Sequence, residues 1–345
     1  MESKLGSLER DMKRFYDIHV ENWESLRKKA KVFRNLRKDI FCILEKYLRN
    51  RRKLLTRIAP FGSYQSGTSK LDSDIDIVIC IEKLAEDIYD PDEKEMKNLI
   101  LQRLHERLPI RRNYERMRHI KDAVVPIIRG FLDGVGFDLS IHFGSSVPLG
   151  YIAAKFLKTV VRFHPEFPIL LHFIKGWLRS HVDLGKLARS MVPNSYALSL
   201  LIVYFLQNYA LIPNLHAMYP IKFDPKNATW NFISVSEKEI ALWEKKQTGR
   251  SVEEKLSSKL FVDFLKHYNK YPIDTFFINM SEGILERKSK TKTGLKIKDP
   301  YDPCNPGRSM FNSDDFQNLI NNTLHKIKTS DSRSLIDDIW EFRSW

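Results

Sequence analysis

From Asp74 the chain alternates strictly, with Ile75, Ile77, Ile79 and Ile81 on one face and Asp74, Asp76, Val78 and Cys80 on the other. A period of two predicts a half-buried strand over 74–82. Gly136 to His142 alternates in the same way, with Phe137, Leu139 and Ile141 inward and Asp138, Ser140 and His142 outward. A strand at 57–63 precedes the first, and strand-like segments at 114–120 and 124–132 precede the second, with Asp133-Gly134 as a hairpin turn. Helical spacing marks 8–24, 31–50 and 93–108; Pro109 is expected to end the last of these, whose apolar side is read as Met96, Leu99, Ile100, Leu104 and Leu108. Beyond Val147 the pattern turns helical, at 148–162, 166–179, 195–209, 251–268 and 313–327, with 214–248 as an irregular excursion.

The expected fold class is therefore α+β. A small mixed sheet with helices on one side spans residues 55–146, and a mostly α-helical domain spans 147–345, with a cleft between them. Residues 1–54 lack strand character and are expected to pack as basic helices on the helical domain.

Charge changes this picture more than length does. The 345 residues carry a net +14, which points to a polyanionic partner. Residues 27–57 hold thirteen Lys and Arg against Asp39 and Glu45, and Arg287–Lys298 holds six more. The three cysteines have no paired spacing, which excludes a zinc knuckle and a disulfide framework; two of them read as buried thiols in a reducing compartment. The polar, acid-containing start predicts neither a signal nor a transit peptide, hence an intracellular protein in nucleus or cytoplasm. The longest apolar run, Tyr196 to Leu206, is too short to span a bilayer, so no membrane partner is expected.

The candidate chemistry lies where the two strands begin. Two carboxylates on one strand face repel, and water, a basic neighbour or a divalent cation relieves them. Gly62-Ser63, with ten residues between Ser63 and Asp74, predicts a turn whose backbone N–H groups and hydroxyl meet phosphate oxygens. With Asp138 from a neighbouring strand, three carboxylates can ligate two metal ions for in-line displacement at phosphorus. Lys175 and Arg179 lie one helical turn apart, a spacing suited to the β- and γ-phosphates.

Gly62-Ser63, the Asp74/Asp76 pair and Asp138 resemble the signature of the DNA polymerase β-like nucleotidyltransferase superfamily, closest in spacing to its poly(A) polymerase and terminal uridylyltransferase branch. The resemblance covers most of residues 55–325. It implies that Asp74, Asp76 and Asp138 are catalytic and hold two Mg²⁺ ions, with Mn²⁺ as a substitute. Ile174-Lys-Gly-Trp-Leu-Arg179 is similar to the family's triphosphate-binding pair. Ser195 and Tyr196 match its phosphate-contacting Ser and base-stacking Tyr. Asp299, Asp302 and Asn305 in loop 297–309 match its base-reading positions, with Arg308 bracing the loop.

The chain also departs from the pattern. The family usually has Gly where Pro193 or Asn194 stands. Cys304 stands near the position of a His common in uridine-selective members, and the loop is shorter. Leu149 replaces a ribose-contacting Asn of many uridylyl-transferring relatives, as in the nuclear poly(A) polymerase type that works with a helicase and a zinc-knuckle subunit.

The resemblance implies a template-independent RNA 3′-terminal nucleotidyltransferase, taking NTP and an RNA 3′ end as substrates, with ATP favoured over UTP as donor. RNA-binding or helicase partner subunits are expected, because no RNA-recognition module is present to select a target. The other readings are a terminal uridylyltransferase, a catalytically idle scaffold of an RNA-processing complex, and a nucleotidyltransferase acting on a small molecule or protein.

Overall fold

The computed structural model describes residues 2–51, 53–83, 92–183, 192–230, 235–246, 256–271, 273–288, 294–310, 313–330, 336, 339 and 340. The chain divides into two compact units, one of residues His19–Lys155 and one of Met1–Ile18 with Phe156–Trp345. Helix α1 (Glu2–His19) lies almost entirely in the second, and α2 (Trp23–Arg49) in the first.

In the first unit α2 is followed by β1 (Lys53–Phe61), the short α3 (Gly62–Ser66) and β2 (Ile75–Lys83). Then come α4 (Glu93–Arg111), β3 (Tyr114–Ile120), β4 (Ile127–Leu132) and β5 (Val135–Phe143). The sheet order is β1-β2-β5-β4-β3, mixed because β2 and β5 run parallel while the other pairs are antiparallel. The four isoleucines of β2 are fully buried with Phe137 and Leu139 of β5, under Val32, Leu36, Ile40, Leu44 and Leu48 of α2 and the apolar side of α4.

Several expectations are corrected here. α2 starts eight residues before the predicted 31, because the Asn22 side chain caps it by accepting from the Ser25 N–H at 2.8 Å. Its apolar stripe lies on the mixed sheet, so residues 1–54 do not pack as a block on the helical domain. Asp74 lies just ahead of β2 rather than inside it. Pro109 does not end α4: the helix runs two residues beyond it, to Arg111. Leu101, not Leu99, completes the buried side of α4; Leu99 is exposed. β4 begins at Ile127 because Pro126 cannot donate to a ladder, leaving Val124 outside it and in solvent. Of the cysteines only Cys80 is buried; Cys42 and Cys304 are exposed.

A buried carboxylate ties three elements of this unit together. Asp39 of α2 accepts from Arg111 Nε at 3.1 Å, Arg112 Nε at 2.7 Å and the Tyr114 hydroxyl at 2.9 Å. Asp39→Ala removes the acceptor and leaves the buried Tyr114 hydroxyl unpaired. It is expected to lower stability by about 3 kcal/mol, read as the change in denaturant midpoint at constant slope.

The second unit contains α1 to Ile18 and, from Phe156, the rest of α5 (Leu149–Phe163). It continues through α6 (Phe167–Asp183), α7 (Ser195–Asn208), α8 (Leu215–Met218), α9 (Glu237–Lys246) and α10 (Ser257–Asn269). β6 (Phe276–Asn279), β7 (Ile284–Arg287), β8 (Ile297–Lys298) and α11 (Asp314–Thr329) complete it. α1 is held by the Phe15 ring, 5.1 Å from Trp340 and 6.3 Å from Phe173, and by Glu9, which accepts from the Ser258 N–H at 2.8 Å. The predicted excursion 214–248 contains α8 and α9, and the predicted start of a helix at 251 lies outside the described residues. The three-stranded sheet β7-β6-β8 was not expected: its strands are two to four residues long, too short for alternation to register. Among the described residues no helix is long and apolar enough to cross a membrane.

Candidate active site

Asp76 and Asp138 are direct partners in the parallel register of β2 and β5. Both side chains therefore leave the same face of the sheet, one strand spacing apart, about 4.8 Å. Asp74 joins them from the residue before β2. Burial and then the charge of Asp138 raise the Asp74 carboxyl above its ordinary value. Asp76 is pushed up to about 6 by burial, then by Asp138 and Asp74. Three acids in mutual repulsion, two of them partly desolvated, have thus been brought to one place.

Glycines make the room. A Cβ on Gly62 would stand 2.0 Å from Asp76 Oδ2, and one on Gly136 would stand 1.9 Å from Asp74 Oδ1. Gly62 also has φ +63°, the left-handed region that favours glycine. The expected Gly-Ser turn is the first turn of α3, and its Ser63 carbonyl accepts from the Thr68 N–H at 3.0 Å. The Ser63 side chain is half-buried beside Gly62.

Sequence reasoning missed one residue. Arg129 of β4 lies opposite Asp138 in the antiparallel register and donates to both of its oxygens, Nε at 2.8 Å and Nη2 at 2.7 Å. This fork raises the Arg129 pKa further, chiefly through its hydrogen bond and charge contact with Asp138. Among the described residues no group of three His, Cys, Asp or Glu side chains is closed tightly enough to hold a metal ion. Arg129 occupies both oxygens of Asp138. The donor set nonetheless fits a hard divalent cation: it is all carboxylate oxygen, and burial followed by mutual repulsion raises Asp74 and Asp76. Asp74, Asp76 and Asp138 would hold such an ion.

The remaining predicted site residues lie in the second unit. Lys175 and Arg179 share a face of α6, Lys175 half-buried and Arg179 exposed. Asn194 caps α7, its Oδ1 accepting from the N–H groups of Tyr196 at 3.0 Å and Ala197 at 2.9 Å. Its amide also donates to the Pro306 carbonyl at 2.7 Å, fastening the start of α7 to loop 297–309. This is what Asn does where the family usually has Gly. Ser195 is exposed at the first position of α7.

In the loop itself the three base-reading candidates behave differently. Asn305, at φ +66°, is committed to the loop: its Oδ1 accepts from Ile297 N at 2.9 Å and Gly307 N at 3.0 Å, and its Nδ2 donates to the Leu295 carbonyl at 3.1 Å. It braces rather than reads. Asp302 receives Arg308 Nη1 at 2.6 Å and Cys304 N at 2.9 Å, so Arg308 braces the loop through it. Asp299 is buried, accepts the Tyr196 hydroxyl at 3.0 Å on Oδ2, and leaves Oδ1 without a hydrogen bond. Burial raises it to about 7 against the pull of those hydrogen bonds. Tyr196 is raised in turn, first by burial and then by Asp299.

The Asp299 carboxyl favours the folded state while protonated, and that contribution is lost as pH rises through about 7. Asp299→Asn is therefore expected to raise the melting temperature at pH 8 and to leave it unchanged near pH 4. A pair of thermal scans at those two values checks this.

Residues 8–151 match the family model described as "Poly(A) RNA polymerase, mitochondrial-like, central palm domain". Over those residues the chain is similar to a poly(A) RNA polymerase palm. The palm chain is similar to the Drosophila melanogaster "Inactive non-canonical poly(A) RNA polymerase protein Trf4-2", 27% identical over 165 residues, 44% of this chain and 34% of that one. It is 25% identical to human terminal uridylyltransferase 4 over 279 residues, 77% of this chain and 16% of that one. It thus spans about a third or less of the length of these relatives. Among solved structures, one of a GLD-2/RNP-8 complex superposes with a TM-score of 0.67 at 17% identity over 97% of this chain and 98% of that one. The Cid1 poly(U) polymerase gives 0.69 at 16% over 96% and 98%. At these identities the likeness is one of fold, mixed α+β.

Proposed function

We propose that the protein is a template-independent RNA 3′-terminal nucleotidyltransferase that transfers NMP from NTP, ATP favoured, to an RNA 3′-hydroxyl. The observation that carries it is the register pairing of Asp76 with Asp138, beside Asp74 on one sheet face. In this reading Asp138 accepts the proton of the 3′-hydroxyl as its oxygen attacks the α-phosphate, and pyrophosphate leaves. Magnesium held by the three aspartates would supply the charge that activates the hydroxyl and neutralises the phosphates.

For the triphosphate the reading assigns Gly62 and Ser63 in the palm, and Lys175, Arg179 and Ser195 in the helical unit. The base is assigned to the ring face of Tyr196 and to Asp299, which accepts the Tyr196 hydroxyl. Asp302 and Arg308 hold the loop in shape. The absence of a His near Cys304 supports ATP over UTP. The GLD-2/RNP-8 complex supports partner subunits that choose the RNA.

The test is a labelled oligo(A) primer with Mg²⁺ and each NTP singly. Extension with ATP is expected. Extension with UTP alone overturns only the donor choice, and no extension with any NTP overturns the enzyme. The second reading, an idle scaffold, is favoured by the Arg129 fork on Asp138 and by one relative being named inactive. It predicts that Asp76→Ala changes nothing in cells.

A further inference from the structure

The outer face of α2 carries Arg34, Arg37, Lys38 and Phe41 at i, i+3, i+4 and i+7, a single stripe, all exposed. They form one wall of a groove of about 400 Å³ whose other wall is β1, with Thr56 and Arg57. The acids of this segment do not neutralise it. Asp39 is buried beneath Arg111, Arg112 and Tyr114, and Glu45 is taken by Arg49 at 3.2 Å. The basic segment is not uniformly solvated either: Lys29 is buried and paired with Glu21 at 2.7 Å, and Lys53 is buried. Four exposed cations of the segment line the groove, around an aromatic ring that is 47% exposed, while Arg27, Lys28, Lys31, Lys46, Arg49 and Arg51 are exposed elsewhere.

Two occupants suit a groove along an edge strand. An acidic peptide would add a strand to β1, but the register shift between Leu55 and Arg57 and the proline at 60 blunt that edge. A single-stranded polyanion needs no ladder; it needs cations at intervals and a ring to stack on.

We propose that this groove is an exosite for single-stranded RNA, its phosphates on Arg34, Arg37 and Lys38 and one base on Phe41. It rests on the reading of the chain as an RNA-handling enzyme, though not on catalysis. Arg57 pairs with Cys80, four residues along β2 from Asp76, or roughly 13 Å at the strand rise. Since α2 covers the isoleucine face of the sheet and the aspartates take the other, RNA held here would pass round the β1 edge to bring its 3′ end to the carboxylates.

The test is fluorescence anisotropy of a 5′-labelled oligo(A) with the full chain in EDTA, without NTP, across a salt series. Replacing Arg34, Arg37 and Lys38 by Gln is expected to weaken binding at least ~10-fold and to flatten the log–log salt slope by about 2, as loss of three single-strand phosphate contacts does. Phe41→Ala is expected to weaken binding at least ~5-fold with the slope unchanged, as loss of one stacked base does. Extension of a primer too short to reach the groove stays at the wild-type rate, which also shows that the variants fold. Unchanged affinity and slope in both variants overturn the exosite. So does an acidic peptide that binds the groove without displacing the oligonucleotide. Because no catalytic step is read in EDTA, failure here is distinct from failure of the polymerase reading.

Discussion

Asp76→Asn is expected to abolish nucleotidyl transfer and, at pH 8 without metal, to make the palm more stable. The two effects have one source. Burial, then Asp138 and Asp74, raise the Asp76 carboxyl from 3.8 to about 6. A carboxyl raised in the folded state favours folding while it is protonated. That contribution is complete below about pH 4 and is lost as pH rises through 6. Above that the ionised group opposes folding, by about 3 kcal/mol at the upper end for two pH units, and less to the extent that water reaches it. Asn has the same shape and no charge, so the variant escapes this cost and loses a metal-binding oxygen anion. Thermal melts at pH 4 and pH 8 are expected to coincide with wild type at the first and to exceed it by a few degrees at the second. Adding magnesium is expected to raise the wild-type midpoint and not that of the variant. Equal melts at pH 8 contradict the electrostatic account, and retained primer extension contradicts the catalytic one.

What could be read from the sequence follows the physics of each signal. The carboxylate face was legible because alternation over Ile75–Ile81 and Phe137–Ile141 fixes which side of each strand is buried, and the aspartates must take the other. Arg129 was legible too, yet was overlooked. Asp133-Gly134, both at positive φ, make a two-residue turn that pairs Leu132 with Val135. Stepping back three residues on each strand sets Arg129 opposite Asp138. The partner of α2 was not legible. A helix shows from its own sequence that it has an apolar stripe, but not which surface covers it, and Val32 to Leu48 lie on the palm sheet. Nor was the role of Asn305, whose side chain satisfies backbone groups on both arms of its loop. Satisfied backbone is a tertiary property, and from the sequence Asn305 reads as one more polar group free to meet a base.

Gly136→Ala is expected to cost the enzyme about 100-fold in turnover, the loss that an error of about 1 Å in a reacting group can produce. Gly136 is not at positive φ, so alanine puts no strain on the backbone itself. Its Cβ would stand 1.9 Å from Asp74 Oδ1 and 2.8 Å from Asp74 Cγ. The carboxylate must move, and it has little freedom to do so without leaving Asp76 and Asp138. Gly67→Ala is the contrasting change. Gly67 has φ +76° with nothing within 4 Å of an added Cβ, so alanine there strains the backbone by about 1–2 kcal/mol and touches no catalytic group. The pair separates geometry from stability: the first is expected to lower turnover more than the melting temperature, the second the reverse. Calorimetry of magnesium binding gives a further readout, weakened in Gly136→Ala and unchanged in Gly67→Ala. If the two variants lose turnover in proportion to lost stability, the glycine at 136 serves the fold and not the placement of Asp74.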